Sequence, residues 1–238
     1  MILGIDTGNT NIVYGRIDIN GEYQTERILT KLESVDEIVK YYYENKYEGA
    51  ILSSVVPAIT DAFREKLPGI KIVSPDMNMS ITIGIDDPYE LGQDLIVGAE
   101  AAVNEYSLPV AIIDMGTAST IFVVDKDKVF RGGTIHPGMG IELKSLDKCT
   151  ALLPGISFEA PDKVFGTNTH DCILSGVLYG HAGMIDGILD NMENELGYKL
   201  NCIATGGLAK FIQPLTRRKI GIDDNLILKG LYILYQKN

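Results

Sequence analysis

The chain has 238 residues and a mass of 26.0 kDa, with 45% hydrophobic and 22% charged residues and a mean hydropathy of +0.09. That composition excludes a disordered or fibrous protein and sets one or two packed domains as the expectation; roughly 70–75% of the unfolded surface is buried at this length without any disulfide or metal staple. A net charge of −11 and a pI near 4.7, with no basic run beyond Arg217-Arg218-Lys219, argue against nucleic acid or an anionic membrane as partner. An anionic small molecule stays open, because backbone amides, helix N-termini and bound cations hold phosphates without a basic surface.

Cys149, Cys172 and Cys202 are odd in number and widely spaced, as expected of reduced, mostly buried thiols. His136, His170 and His181 show no metal-ligand spacing and read as surface or satisfied histidines. The opening Met-Ile-Leu-Gly-Ile-Asp carries no secretory pattern, and no apolar run approaches the roughly 20 residues of a membrane span, so a cytoplasmic protein is expected.

In chain order, residues 2–6, 11–19 and 23–30 read as three strands of an antiparallel meander, turning at Thr7-Gly8-Asn9 and Asn20-Gly21. Ser34-Val35-Asp36-Glu37 predicts a capping box opening a helix to about Tyr47, with Ile38, Tyr41 and Tyr42 on its apolar face. A strand at 50–56 ended by Pro57, a helix over 58–67 and a strand at 70–73 complete a β-β-β-α-β-α-β order. A further helix follows Pro88-Tyr89-Glu90-Leu91-Gly92-Gln93-Asp94, with apolar positions Leu91, Leu95, Ala99 and Ala102. Beyond a strand at 129–135 come a glycine-rich turn, a long helix over 168–196, a strand at 201–204 and two more helices.

The second half repeats the first. Ile5-Asp6-Thr7-Gly8 matches Ile113-Asp114-Met115-Gly116, and each is followed by a polar turn and an apolar strand. The 108-residue offset is too long for a solenoid and fits two copies of a domain-sized unit. The join falls near 105–108, giving domains 1–106 and 107–238.

Four motifs suit ligand chemistry. Asp6-Thr7-Gly8-Asn9-Thr10 sits between two strands, where turn amides can cradle phosphate and a strand-end carboxylate can hold a hydrated cation; alone it reads equally as a tight Asn-rich hairpin. Its partner Asp114-Met115-Gly116-Thr117-Ala118-Ser119-Thr120 has the same grammar. Asp94 stands at a helix start, where the dipole favours any carboxylate, and Gly98 one turn on suggests open space beside it. Arg131 to Gly140 reads as a ligand-facing loop, and Ala204-Thr205-Gly206-Gly207 as a strand-to-helix turn with amides to offer.

Taken together, Asp-x-Gly-Asn-Thr at 6, Pro-x-x-x-Gly-x-Asp ending at 94, Asp-x-Gly-Thr-Ala at 114, Gly-Gly-x-Ile-x-Pro-Gly at 132 and Thr-Gly-Gly at 205 resemble the type III pantothenate kinases. Leu153-Pro154, Gly166-Thr167-Asn168-Thr169, Ser175-Gly176, Tyr179-Gly180 and the helix from Leu226 extend the resemblance along nearly the whole chain. It implies an α/β fold of the actin and sugar-kinase type: two ribonuclease-H-like lobes with mixed five-stranded sheets and ATP between them. It also implies a homodimer that phosphorylates pantothenate, the first step of coenzyme A biosynthesis, with Mg²⁺ and a monovalent cation such as K⁺ or NH₄⁺.

Carried onto this sequence, the resemblance assigns ATP phosphates to Asp6, Thr7, Gly8, Asn9, Thr10, Asn11, Ile12 and Val13, with Thr117 also on ATP. It makes Asp94 the general base and Asp114 the monovalent-cation ligand, and it places Gly92, Gln93, Asp94, Leu95 and Thr169 in the substrate pocket. The sequence departs from the family where an Arg normally follows the base, since Leu95 stands there. Ile85 takes the place of a substrate-contacting Tyr, Phe122 that of an acid and Gly98 that of an Asn. Those changes raise pantetheine, which lacks the carboxylate, as a second acceptor. A catalytically weak or inactive relative serving regulation or interaction is the alternative of a different class.

Overall fold

The computed structural model describes residues 1–17, 23–149, 158–159 and 163–238; the expected turn at Asn20-Gly21 and the Leu153-Pro154 motif lie outside them. The described residues form two compact units. The first contains Met1–Tyr106, Asp127–Arg131 and Asn225–Asn238, and the second Ser107–Lys126 and Gly132–Asp224. A single cut at 106/107 therefore does not separate them, because the last helix belongs with the first unit.

In the first unit, β1 (Ile2–Thr7), β2 (Asn11–Ile17), β3 (Tyr23–Leu29), β4 (Gly49–Ser54) and β5 (Lys71–Ile72) make a five-stranded sheet in the order β3-β2-β1-β4-β5. The β1–β2 and β2–β3 pairs are antiparallel, whereas β1–β4 and β4–β5 are parallel. β1 alternates little and is buried almost throughout, as a central strand covered on both faces should be. Leu3, Ile5, Ile12, Val35, Ile38, Leu52, Ile59 and Phe63 form the core beside α1 (Leu32–Glu44) and α2 (Pro57–Lys66).

The expected capping box is corrected here. α1 begins at Leu32 after Lys31, which provides no side-chain cap, while Ser34 is buried within the helix and donates its hydroxyl to Leu29 O at 2.7 Å. The helix also stops at Glu44, three residues earlier than expected, because Lys46 turns at φ 54°. Tyr41 and Tyr42 pack on the core and on Tyr47, in keeping with a packing role.

Two further elements from the first half of the chain belong to this unit. α3 (Gln93–Glu105) follows a short turn of 3-10 helix at Pro88–Glu90, and the short strand β6 (Thr82–Ile83) pairs in parallel with Val129 and Phe130.

The second sheet has six strands, not the expected five: β7 (Val110–Met115), β8 (Ala118–Val124), β9 (Val129–Pro137), β10 (Asn201–Thr205) and β11 (Gly221–Ile222) run in the order β9-β8-β7-β10-β11, and β6 adds to the β9 edge. Apart from β6, that order reproduces the first sheet, with β7–β8 antiparallel and β7–β10 and β10–β11 parallel. α4 (Met139–Cys149), α5 (Thr169–Leu196) and α6 (Ala209–Ile212) accompany it, and Ile113, Met115, Ile121, Leu178, Ile185 and Leu189 lie in its core.

The ligand-facing loop expected at 131–140 is instead strand and helix. β9 alternates regularly up to Pro137 and α4 starts at Met139. Its glycines are needed for close approach: a Cβ on Gly133 would lie 1.9 Å from Ile121 O, and one on Gly138 would lie 2.3 Å from Thr117 O.

α5 is 28 residues long and, by length and composition alone, apolar enough to cross a membrane, a test that the core helix of a globular protein also passes. In α5 the apolar stripe of Leu174, Val177, Leu178, Ala182, Ile185 and Leu189 is buried in the second unit's core. Asn168 caps it by accepting Asp171 N at 3.0 Å, and Gly197 ends it at φ 77°. Cys172 on this helix is exposed and Cys202 half-buried, so the buried-thiol expectation fails for Cys172; the thiol of Cys149 lies outside the described side chains.

α7 (Leu226–Lys237) then returns to the first unit. Leu228 and Leu231 lie over Gly4 of β1, and Gly230 lies so close to α3 that a Cβ would come within 2.0 Å of Val97 O. Lys237 pairs with Glu100, which is fully buried in α3 and also accepts Ser80 N at 2.7 Å. A buried carboxylate of this kind survives only when paired and hydrogen-bonded.

Candidate active site

Each unit carries an acid at the C-terminal end of its first strand. In the first, Asp6 lies opposite Val13 of β2 and beside Ser53 of β4, whose hydroxyl donates to Asp6 Oδ1 at 2.9 Å. The turn is closed by Gly8 N donating to Asn11 O at 3.0 Å and is tied to β3 by the Thr30 hydroxyl, which donates to Gly8 O at 2.7 Å. Gly8 thus spends its amide on the turn, while Asn9 and Thr10 are exposed. Thr7 is buried, and its Oγ1 has no hydrogen-bond partner.

The same network reaches the start of α3. Ser54 N donates to Gln93 Oε1 at 2.8 Å, so the residue after Ser53 holds the residue before Asp94. Asp94 lies in the first turn of α3 and accepts Leu95 N at 3.0 Å. Loss of solvent raises its carboxyl above the ordinary aspartate value, against the lowering effect of the Leu95 and Asp94 backbone hydrogen bonds. The carboxylate folds back over Gly92, where a Cβ would lie 2.5 Å from Asp94 Oδ1. Gly92 has an ordinary φ of −56°, so glycine serves there for space and not for conformation. Leu95 and Ile85 are half-buried, and Gly98 is buried in α3.

The second unit gathers a matching set. Asp114 lies opposite Thr120 and beside Thr205 of β10. Gly116 N closes the turn on Ala118 O at 3.1 Å, and Gly138 N donates to Thr117 O at 3.1 Å. Gly206, at φ 93°, follows Thr205; a Cβ there would lie 2.6 Å from Met115 O and 2.8 Å from Asp114 Oδ1. The Thr-Gly-Gly motif, weak as a sequence signal, is therefore part of the wall around Asp114. Carboxylate and carbonyl oxygens crowd this glycine, a donor set suited to a hard cation. Thr120 Oγ1 is buried without a hydrogen-bond partner, Phe122 is buried, and Thr169 is exposed at the first position of α5.

One cluster escaped the sequence reading. Glu142 of α4 lies between two histidines, with His181 Nδ1 at 3.4 Å and His136 Nδ1 at 3.5 Å from its Oε1. His181 is buried, with Nε2 at 2.8 Å from Ser119 Oγ; burial lowers its pKa, against the raising influence of Glu142. The three residues lie six and 39 positions apart, so no local spacing announces them.

The family model for type III pantothenate kinases matches residues 2–191. The chain belongs to the type III pantothenate kinase family. It is 38% identical over 255 residues to the type III pantothenate kinase of Dictyoglomus turgidum, covering all of both chains. To that of an Exiguobacterium species it is 36% identical over 253 residues, covering all of this chain and 99% of the relative. A solved ROK family glucokinase from Streptomyces griseus, in complex with glucose and AMPPNP, shares the fold with a TM-score of 0.55 at 13% identity, covering 99% of each chain. The chain is accordingly a kinase phosphotransferase of the α/β sugar-kinase fold.

Proposed function

We propose that this family member transfers the γ-phosphoryl group of Mg·ATP to the primary hydroxyl of pantothenate or of a close relative such as pantetheine, with Asp94 as general base. The observation that carries this reading is the Asp94 carboxylate, desolvated at a helix start and linked through Gln93, Ser54 and Ser53 to the strand that carries Asp6. Phosphoryl transfer asks mainly for positioning and charge neutralisation.

In this reading the segment from Asp6 to Val13 and Thr117 serve ATP, with the unpartnered Thr7 hydroxyl supporting a polar ligand at that turn. Gly92, Gln93, Leu95 and Thr169 serve the acceptor. As the acceptor oxygen bonds to phosphorus and the bond to the ADP oxygen breaks, Asp94 takes the hydroxyl proton. Its raised pKa makes it a stronger base than an exposed aspartate. Asp114, with the oxygens around Gly206, would hold a monovalent cation such as K⁺ or NH₄⁺, which supplies charge neutralisation. A cytoplasmic homodimer is the proposed form.

Half-buried Leu95 and Ile85 favour an acceptor end without a carboxylate. An Arg–carboxylate hydrogen bond is worth about 1.5–3 kcal/mol, so Leu95→Arg should lower the pantothenate KM roughly ten- to a hundredfold and leave the pantetheine KM unchanged. An unaltered pantothenate KM would refute that role for Leu95. The deciding experiment is ADP release with Mg·ATP and each acceptor, with and without K⁺ or NH₄⁺. Acceptor-dependent turnover that drops about 10²- to 10⁴-fold in Asp94→Asn is expected; no turnover with either acceptor would favour the regulatory alternative.

A further inference from the structure

His136, Glu142 and His181 come from the end of β9, the first turn of α4 and the middle of α5. Their ligand atoms all lie within 4.8 Å of one another. The two His–Glu separations, 3.4 and 3.5 Å, are long for an N–H···O bond. They agree with the edge of a tetrahedron around an ion: ligands at about 2.0–2.1 Å from Zn²⁺ stand roughly 3.3–3.4 Å apart.

The surroundings fit a ligand shell. Ser119 Oγ at 2.8 Å from His181 Nε2 can accept the proton on that nitrogen, which leaves the Nδ1 lone pair directed at Glu142. A metal-ligating histidine is ordinarily held through its other nitrogen in this way. His181 is buried and its side chain 1% exposed, whereas the side chains of Glu142 and His136 are 27% and 40% exposed, so the cluster has a fixed floor and an open side. Glu142 also lines a cavity of about 540 Å³ with Pro137, Ile141, Leu146, Cys172 and Ile173, which gives an ion a way in. His136 Nδ1 lies 2.9 Å from Pro137 O; ligation exchanges that contact for the ion, a small movement for a half-exposed ring.

We propose that His136, Glu142 and His181 form a binding site for a divalent transition-metal ion of the zinc class, separate from the phosphoryl-transfer residues, with water in the remaining position. Two imidazoles and one carboxylate favour such an ion over Mg²⁺ or K⁺, which take oxygen ligands. Bound there, the ion ties the end of β9 and the first turn of α4 to α5.

The test is calorimetric titration of tag-free, chelator-stripped full-length protein with ZnCl₂ in the absence of nucleotide, and with CoCl₂ followed by visible absorption. One saturable Zn²⁺ ion per chain and the ligand-field bands of four-coordinate cobalt are expected. His136→Ala and Glu142→Gln, which alter partly exposed side chains, should each weaken Zn²⁺ binding by about 100-fold or more, and Ser119→Ala by about tenfold. His170→Ala, at the separate His170–Glu159–Asp171 group, should bind as the parent does. Absence of saturable binding in the parent would overturn the proposal. So would parent-like affinity in folded His136→Ala and Glu142→Gln, or an equal loss in His170→Ala.

Discussion

The hairpins around Asp6 and Asp114 occupy the same place in two sheets that share the order of five strands, yet they are built differently. Three residues join β1 to β2, and only Asn11 O comes within 4 Å of a Cβ placed on Gly8. Two residues join β7 to β8, and that turn is overlaid by the backbone of Gly138 and flanked by Gly206. The acids differ in company as well, since a serine hydroxyl donates to Asp6 whereas Asp114 is crowded by Gly206. A repeated topology fixes where a carboxylate stands but leaves its surroundings to be set by whichever segments pack against the turn. The turn glycines themselves are both open, a Cβ on Gly8 or Gly116 coming no nearer than 3.4 or 3.6 Å to other atoms, and the crowded glycines of the second hairpin, Gly138 and Gly206, belong to the segments packed against it.

The largest effect should come from the first unit. In Gly92→Ala the new methyl must displace the Asp94 carboxylate, and a misplacement of about 1 Å costs up to roughly a hundredfold in rate. Steady-state kinetics should show a kcat fall with the unfolding midpoint almost unmoved; unchanged kcat would show that the carboxylate tolerates another position.

Next comes the contrast between the glycine that walls the second hairpin and the turn glycine of the first. Gly206→Ala places a side chain at φ 93° and against Met115 O, which should cost about 1–3 kcal/mol in urea unfolding. Gly8→Ala, in its open turn, should stay within about 0.5–1 kcal/mol. Equal losses would erase the distinction between the hairpins.

The smallest effect distinguishes two carboxylates by pH. Glu193, hydrogen-bonded chiefly by Arg218 and also by Lys199 and Leu200 N, is held from 4.5 down to about 2. Its stabilisation is fully present above the unfolded value and is lost as pH falls from about 4.5 toward 2. Asp94 is shifted the other way, so ionising it costs stability as pH rises, and Asp94→Asn should be at least as stable as the parent at pH 7. Urea midpoints measured against pH for Arg218→Met and Asp94→Asn check both signs: the first should flatten the acid limb.

The two acid-bearing hairpins were legible in the sequence because strand, acid, glycine and strand are adjacent residues, and Gly92-Gln93-Asp94 was legible for the same reason. Their surroundings were not. The glycines at 133 and 138 suggested a loop, but they answer to Ile121 O and Thr117 O on neighbouring segments. Ser34 had the spacing of a cap, yet its hydroxyl found Leu29 O. His136, Glu142 and His181 meet only because β9, α4 and α5 pack together, and the return of α7 to the first unit depends on Gly4 and Gly230 receiving it. Local grammar survives in a linear reading; adjacency created by packing does not.

That return has a consequence for how the protein is made. Translation delivers residues 107–224 before it delivers α7, so throughout that interval the nascent chain carries α3 with its Val97 face uncovered and Glu100 without its lysine. The second unit needs nothing beyond Asp224, whereas the helix bearing Asp94 must wait for residues encoded more than a hundred codons after it. A released chain ending before Leu226 should thus hold one finished unit and one protease-sensitive unit, in the reverse of their order of synthesis.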